Sequence, residues 1–307
     1  MRKIARAILP VALVALLAGC SRVAPPLSIA ELEAKAAAGD TSAYKGFVEY
    51  LGSSRTGDEQ RRAYIALVAA GQKAAAEVRQ ALESSDPAVR EHAFALAGNL
   101  KLEGTFDLAA KTIADTSLKR RHSAAWALGE LGDERAIPIL ATAMGSDPDE
   151  LTRREAARAI NRFEMRATPA LLEQLPKAKT EYRGTILRVL GELRDPAGKA
   201  AIIEGLKDPA TREDAVWALG SMGKAGDFFD PTPYLSDPDW NVRVMAARAV
   251  GLIGIKGAKP TLDKMRMNDP VKAVREWAAR GLALIDGTPS HYRTTSGELE
   301  SPDNLYH

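Results

Sequence analysis

Residues 236–254 read SDPDWNVRVMAARAVGLIG: an Asp-Pro step at Asp237, Val242-Arg243, then Ala246-Ala247, Ala249-Val250 and Gly251. The same grammar recurs upstream and downstream. With the arginine as position zero and the small residue eight places on as its companion, the pairs are Arg90/Gly98, Arg121/Gly129, Arg153/Asn161, Arg183/Gly191, Arg212/Gly220, Arg243/Gly251 and Arg275/Ala283. Successive arginines are 31, 32, 30, 29, 31 and 32 residues apart. A spacing this regular marks an internal repeat of about 31 residues, in which each unit is one supersecondary structure stacked on the next.

Wound at 100° per residue, positions plus three, four, seven and ten share a face with the arginine. Around Arg121 they are Ala124, Ala125, Leu128 and Leu131; around Arg243 they are Ala246, Ala247, Val250 and Ile253. Small residues there let a second helix approach closely, and larger ones fill the remaining gap. Gly at plus eight is expected to end or loosen this helix near its last turn. A second helix follows each break, and three of them open with proline at Pro138, Pro169 and Pro260, tolerated in a first helical turn. Each unit is thus a helical hairpin with one apolar side that only stacking can bury.

The pattern D-P-x-V-R-x-x-A-x-x-A-L-G-x-L, over roughly Asp58 to Ile285, resembles the HEAT-like repeats first associated with phycobilisome lyases. The resemblance implies an all-α, right-handed α-solenoid and says little about function, because such repeats serve many roles. The arginines Arg90, Arg121, Arg153, Arg183, Arg212, Arg243 and Arg275 sit among apolar neighbours, so each needs an acceptor. The aspartate of an Asp-Pro step, in the same or the adjoining unit, is the expected one. This makes them a structural ladder rather than a ligand site.

At the N-terminus a basic start (Arg2, Lys3, Arg6) precedes an apolar run, Ala7–Leu17, and then Leu17-Ala18-Gly19-Cys20. These are the parts of a secretory signal peptide, too short in its apolar run to span a bilayer as a helix, which takes about 20 residues. Leu-Ala-Gly-Cys resembles the lipobox of bacterial lipoproteins, which implies cleavage after residue 19 and acylation of Cys20. Cys20 is the single cysteine of the chain. Two or more acyl chains hold a protein stably on a bilayer. By the sorting tendency of that family, Ser21 favours the outer membrane, periplasmic side, with the inner membrane as the alternative. Taking Arg2, Lys3 and Arg6 from the 42 basic residues leaves 39 against 40 acidic, a balance that does not favour nucleic acid.

Residues 20–27 read as a tether and 28–285 as one repeat domain, whose atypical first pair, 28–52, caps the array. The first pair opens with a Ser28/Glu31 capping box. Residues 223–238, with Pro231 and Pro233, leave little room for a full helix, and Phe228 and Phe229 are expected to pack beneath them. Residues 286–307, rich in Ser, Thr, Gly and Pro, read as a disordered tail.

Chemistry is sparse. No thiol nucleophile or thiolate metal site is available beyond Cys20, and no Gly-x-Ser-x-Gly, His-Glu-x-x-His or phosphate-binding glycine loop occurs. Deoxyhypusine hydroxylase, a HEAT-like enzyme, takes His-Glu pairs from several repeats to hold two irons; here Glu91-His92 is reversed and His122 precedes Ser123. The expectation is no catalysis, no metal and no cofactor. What remains is surface. At plus five the units carry Ala95, Trp126, Arg158, Arg188, Trp217, Arg248 and Arg280, with Trp277 at plus two. If the first helices line the concave side, this is a ribbon of residue types enriched at binding hot spots. The competing reading is a solvated face with helix-internal ion pairs such as Arg158/Glu155, Arg188/Glu192 and Arg280/Glu276. The expected partner is an envelope protein, or alternatively an envelope glycan stacked on the tryptophans.

Overall fold

The computed structural model describes residues 26–223 and 229–302. The signal sequence, Cys20, Phe228 and the last five residues lie outside the described residues. Helices follow one another in antiparallel pairs: α1 (Ile29–Ala37) with α2 (Ala43–Tyr50), α3 (Gly57–Ala70) with α4 (Ala75–Ala81), and α5 (Pro87–Asn99) with α6 (Phe106–Ala114). Then come α7 (His122–Leu131) with α8 (Ala136–Ser146), α9 (Glu150–Ile160) with α10 (Thr168–Gln174), and α11 (Thr180–Leu193) with α12 (Lys199–Gly205). After α13 (Arg212–Met222) a 3-10 turn, Thr232–Ser236, stands in for the second helix, with Phe229 packed beside Tyr234. The array closes with α14 (Trp240–Ile253), α15 (Lys259–Asn268) and α16 (Lys272–Asp286).

The first helices of successive units lie side by side, α3 on α5, α5 on α7, α7 on α9, and so to α14 on α16. One core runs the length of the array beneath them, from Ile29 and Leu32 to Ala278 and Leu282. The molecule is an all-α solenoid.

The ladder arginines obey a two-part rule. Each reaches back to a carbonyl of its own unit, six residues before it in Arg90 to Ser84, Arg153 to Asp147, Arg212 to Leu206, Arg243 to Asp237 and Arg275 to Asp269. Arg121 and Arg183 likewise use backbone carbonyls, those of Ile113 and Ala178. The forward half of the rule crosses to the next unit. Arg121 donates to both oxygens of Asp147, Arg243 to both oxygens of Asp269, and Arg212 faces Asp237 at 3.5 Å. The same aspartates accept the N–H two residues on, from Asp149, Asp239 and Val271, closing the turn that starts the next first helix. Three arginines reach no aspartate: Arg153 lies over the Tyr182 ring at 4.0 Å, Arg90 uses the carbonyl of Lys119, and Arg183, although Asp208 follows it, donates only to the carbonyls of Ala178 and Pro176 among the described residues.

Both ends of this ladder are finished off. In α3 the zero position is Gln60, which donates to the carbonyl of Gly52 at 2.8 Å. Asp86, left without its arginine, accepts instead from the amide and hydroxyl of Ser53. At the other end the structure departs from the disordered tail expected over 286–307, throughout its described part, 286–302. Asp286 ends α16, Tyr292–Arg293 pairs with Leu299–Glu300 as a small antiparallel hairpin, and Tyr292 is only 2% exposed. The reason is the orphaned last rung. Among the described residues no helical unit follows Arg275, and the carbonyl of Arg293 accepts from its Nε at 2.6 Å, while Arg266 holds the carbonyl of His291 at 2.8 Å. The hairpin is a C-terminal cap.

Glycine at plus eight does not end the helix, contrary to the sequence expectation. Gly98, Gly129, Gly191, Gly220 and Gly251 all lie inside their helices. Each is a notch for the next first helix. A Cβ on Gly129 would sit 2.8 Å from that of Ala159, one on Gly191 2.5 Å from the Cα of Ala218, and one on Gly220 2.6 Å from the Cβ of Ala249. The backbones approach so closely that only hydrogen fits. The helices stop three residues later, where Lys101, Gly132, Glu164, Arg194, Gly223 and Gly254 all take positive φ.

Candidate functional site

The face made by the first helices is not uniform. At its N-terminal end α3, α5, α7 and α9 enclose a cleft of about 490 Å³ lined by Tyr64, Glu91, His92, Ala95, His122, Ser123, Trp126 and Glu155, among others. Ala95 explains its position: it occupies plus five, where every later unit places tryptophan or arginine. In the sequence Glu91, His92 and His122 stand out only as an absent metal dyad, Tyr64 as a core residue and Glu155 as the partner of Arg158, and nothing there joins them into one cleft. Their common face follows from the repeat, since Glu91 and His122 occupy plus one and His92 and Glu155 plus two.

The cleft is electrostatically tied. His122 Nε2 lies 3.0 Å from Glu91 Oε1, and Arg120 holds the other carboxylate oxygen at 2.5 Å. The hydrogen bond from His122 first, then Arg120, holds the Glu91 carboxyl below its usual range, and Glu91 in turn raises the His122 pKa. Burial raises the Tyr64 phenol, whose oxygen accepts from Asn99. His92 donates from Nδ1 to the carbonyl of Ala88 at 2.8 Å, and its ring meets Tyr64 at 6.1 Å. Among the described residues no cluster of three metal-ligating side chains occurs.

Beyond the cleft the ribbon continues. Trp126 is half-buried, its ring packed over Gly98; Arg158 is exposed and paired with Glu155 at 3.1 Å. The pairing expected within one helix for Arg188 is not made. Arg188 crosses to the next unit, to Asp214 and, at 3.1 Å, Glu213, while Glu192 accepts from Asn161. Glu276 likewise serves Lys272, and Arg280 lies over the Trp277 ring at 5.0 Å. Trp217 has two guanidinium groups over it, those of Arg188 and Arg248, each 5.2 Å from the ring centroid. Of the sequence-read ribbon, Arg188, Trp217 and Arg248 are joined across units, whereas the contacts of Arg158 and Arg280 with Glu155 and Trp277 stay within their own helices. The ladder arginines stand apart from it, each engaged with backbone carbonyls and three with a following aspartate.

These features define a helical-repeat solenoid, a fold class that generally serves as a protein-interaction scaffold. The HEAT-repeat family model matches residues 75–161, 168–228 and 231–292, and the chain belongs to that family. Among solved structures it is similar to human deoxyhypusine hydroxylase (19% identity over 84% of this chain and 99% of that one, TM-score 0.34). It is also similar to the complex of CpcE and CpcF of phycocyanin lyase from Nostoc sp. PCC7120 (20% identity, 69% and 94%, TM-score 0.39). A designed armadillo repeat protein in complex with the peptide (KR)4 is a further neighbour, at 18% identity over 84% and 97% and TM-score 0.28. No curated protein matches the chain.

Proposed function

We propose that the chain is a non-catalytic scaffold, held to the bacterial cell envelope by acyl chains on Cys20, that binds another envelope protein along its first-helix face. The observation that carries the reading is the concentration of wide, half-exposed aromatic and guanidinium groups on that one face, opening into a cleft at one end. Tyr64, Trp126, Trp217 and Trp277 all present rigid area at small entropic cost, as binding anchors do. The membrane attachment rests on the Leu17–Cys20 motif, and the outer-membrane assignment on Ser21. No described helix is long and apolar enough to cross a membrane. A lipid anchor confines scaffold and partner to one surface and raises their effective concentration.

In-cell crosslinking from a photoreactive residue at position 158 tests the scaffold reading. The expected result is one recurrent envelope protein, lost when Trp126 and Trp217 are both changed to Ala. Retention of the chain on purified peptidoglycan, with no protein adduct, would replace this reading with glycan recognition. Cys20→Ser should release the protein from the membrane fraction and abolish palmitate labelling; unchanged attachment would refute the anchor.

A further inference from the structure

The two arginines over Trp217 are not equivalent. Arg188 is neutralised: Nε donates to Asp214 and Nη2 to Glu213. Gly184, one turn before Arg188 on α11, makes the room, because a Cβ there would lie 1.8 Å from the Asp214 carboxylate oxygen. Arg248 has no such arrangement. Among the described residues no acceptor meets it, and its Nη1 is buried without a hydrogen-bond partner. Burial first, and then the charge of Arg188, lower its pKa.

Elsewhere this chain supplies an acceptor to the arginines it buries. All seven ladder guanidinium groups have one, down to the cap carbonyl that meets Arg275. A guanidinium carries five donors and no acceptor and stays charged at any ordinary pH, so an unmet one is destabilising. Nη1 itself is closed to solvent, so an incoming acceptor would meet the guanidinium over the indole at its remaining donors, Nε–H and Nη2. A single charge suits the site best. Arg188 is already satisfied, and the Glu213 and Asp214 carboxylates that hold it would repel the second charge of a phosphate.

We infer that Arg248, held over Trp217, is a carboxylate-recognition point on the first-helix face, taking an acidic side chain or the chain terminus of a bound protein segment. The inference rests on the reading of that face as a protein-binding surface, and names what the surface reads.

The test uses three peptides: (Gly-Glu)4 blocked at both ends, (Gly-Gln)4 with a free C-terminus, and (Gly-Gln)4 fully blocked. Each is titrated at millimolar concentration into the folded chain while the Trp217 indole and Arg248 Nε–H resonances are followed. One of the first two should shift both signals, and which one identifies side chain or terminus; the third should not. Arg248→Met should weaken that binding by about tenfold or more, as loss of a charge-assisted fork implies, and should raise the unfolding midpoint of the unliganded chain. Arg248→Lys, which keeps the charge without the fork, should weaken binding with the fold intact. Equal response to the blocked Gln peptide, unchanged binding in both variants, or a lowered midpoint in Arg248→Met would overturn the assignment. If crosslinking from position 158 still captures its partner when these peptides fail, the scaffold reading stands and this inference alone falls.

Discussion

The guanidinium of Arg121 donates to both carboxylate oxygens of Asp147, 26 residues on and in the following unit, at 2.5 and 2.7 Å, and both side chains are almost wholly buried. An ion pair so placed is weak as a source of stability and strong as a constraint, because desolvation offsets most of its attraction.

Removing one partner should therefore be far worse than removing both. Asp147→Leu leaves a buried unpaired guanidinium and should destabilise by about 3–5 kcal/mol, whereas Arg121→Met with Asp147→Leu should cost less than half of that. Chemical denaturation of the two singles and the double measures it. Additive effects would mean that the two residues act independently.

The C-terminal cap should stabilise α16 locally. Tyr292→Ala empties a fully buried site and takes the Arg293 carbonyl away from Arg275, so about 3 kcal/mol is expected. In a solenoid the loss stays near the end of the array. Amide exchange should accelerate in α15 and α16 and be unchanged in α7. Unaltered exchange in α16 would show that the hairpin is not a cap.

Glu164 sits at φ 53°, ψ −145°, where Gly71 (59°, −133°) and Gly223 (65°, −135°) end the corresponding helices of their units. Only glycine occupies that region without strain, so Glu164→Gly should stabilise by about 1–2 kcal/mol. Its exposed side chain has no packing to lose. A lower unfolding temperature would contradict the assignment.

The Glu91–His122 contact joins α5 to α7 and carries a pH signature. The His122 pKa is raised above its ordinary 6.5, so its contribution is complete below that pH and is lost as pH rises through the raised value. Glu91 is lowered from 4.5, so its contribution is present above that pH and is lost as pH falls through the depressed value. The contact is therefore strongest between pH 4.5 and 6.5. An NMR titration of the His122 ring should show a midpoint above 6.5 that falls in Glu91→Gln.

The repeat and its helices were legible because helical periodicity and the Asp-Pro step are local signals. The arginine's need for an acceptor was legible too, since it follows from charge and burial. Relations between units were harder to read. Gly129 looks like a helix stop, and nothing near it in the chain shows that Ala159 will press against it. Arg188 has Glu192 one turn away, yet Asp214 is nearer in space, because Gly184 clears the way. The segment around Tyr292 is polar in composition, and one buried ring with one accepted hydrogen bond is enough to order it. The cleft was missed because it is made by a small residue, Ala95, rather than by a conspicuous one.

The forward reach of the arginines also makes the array mechanically uneven. Between α7 and α9, and between α14 and α16, a bidentate rung ties neighbouring units and resists splaying. Between α9 and α11 that rung is missing, since Lys179 stands in the aspartate's place and Arg153 rests on Tyr182. It is also missing after Arg90 and Arg183, but there α5 packs closely on α7 and α11 on α13, whereas α9 scarcely meets α11. Bending should concentrate there, beside Arg158, so that the strip from Trp126 to Trp217 can change its curvature to fit a load while the segments on either side move as stiff arms.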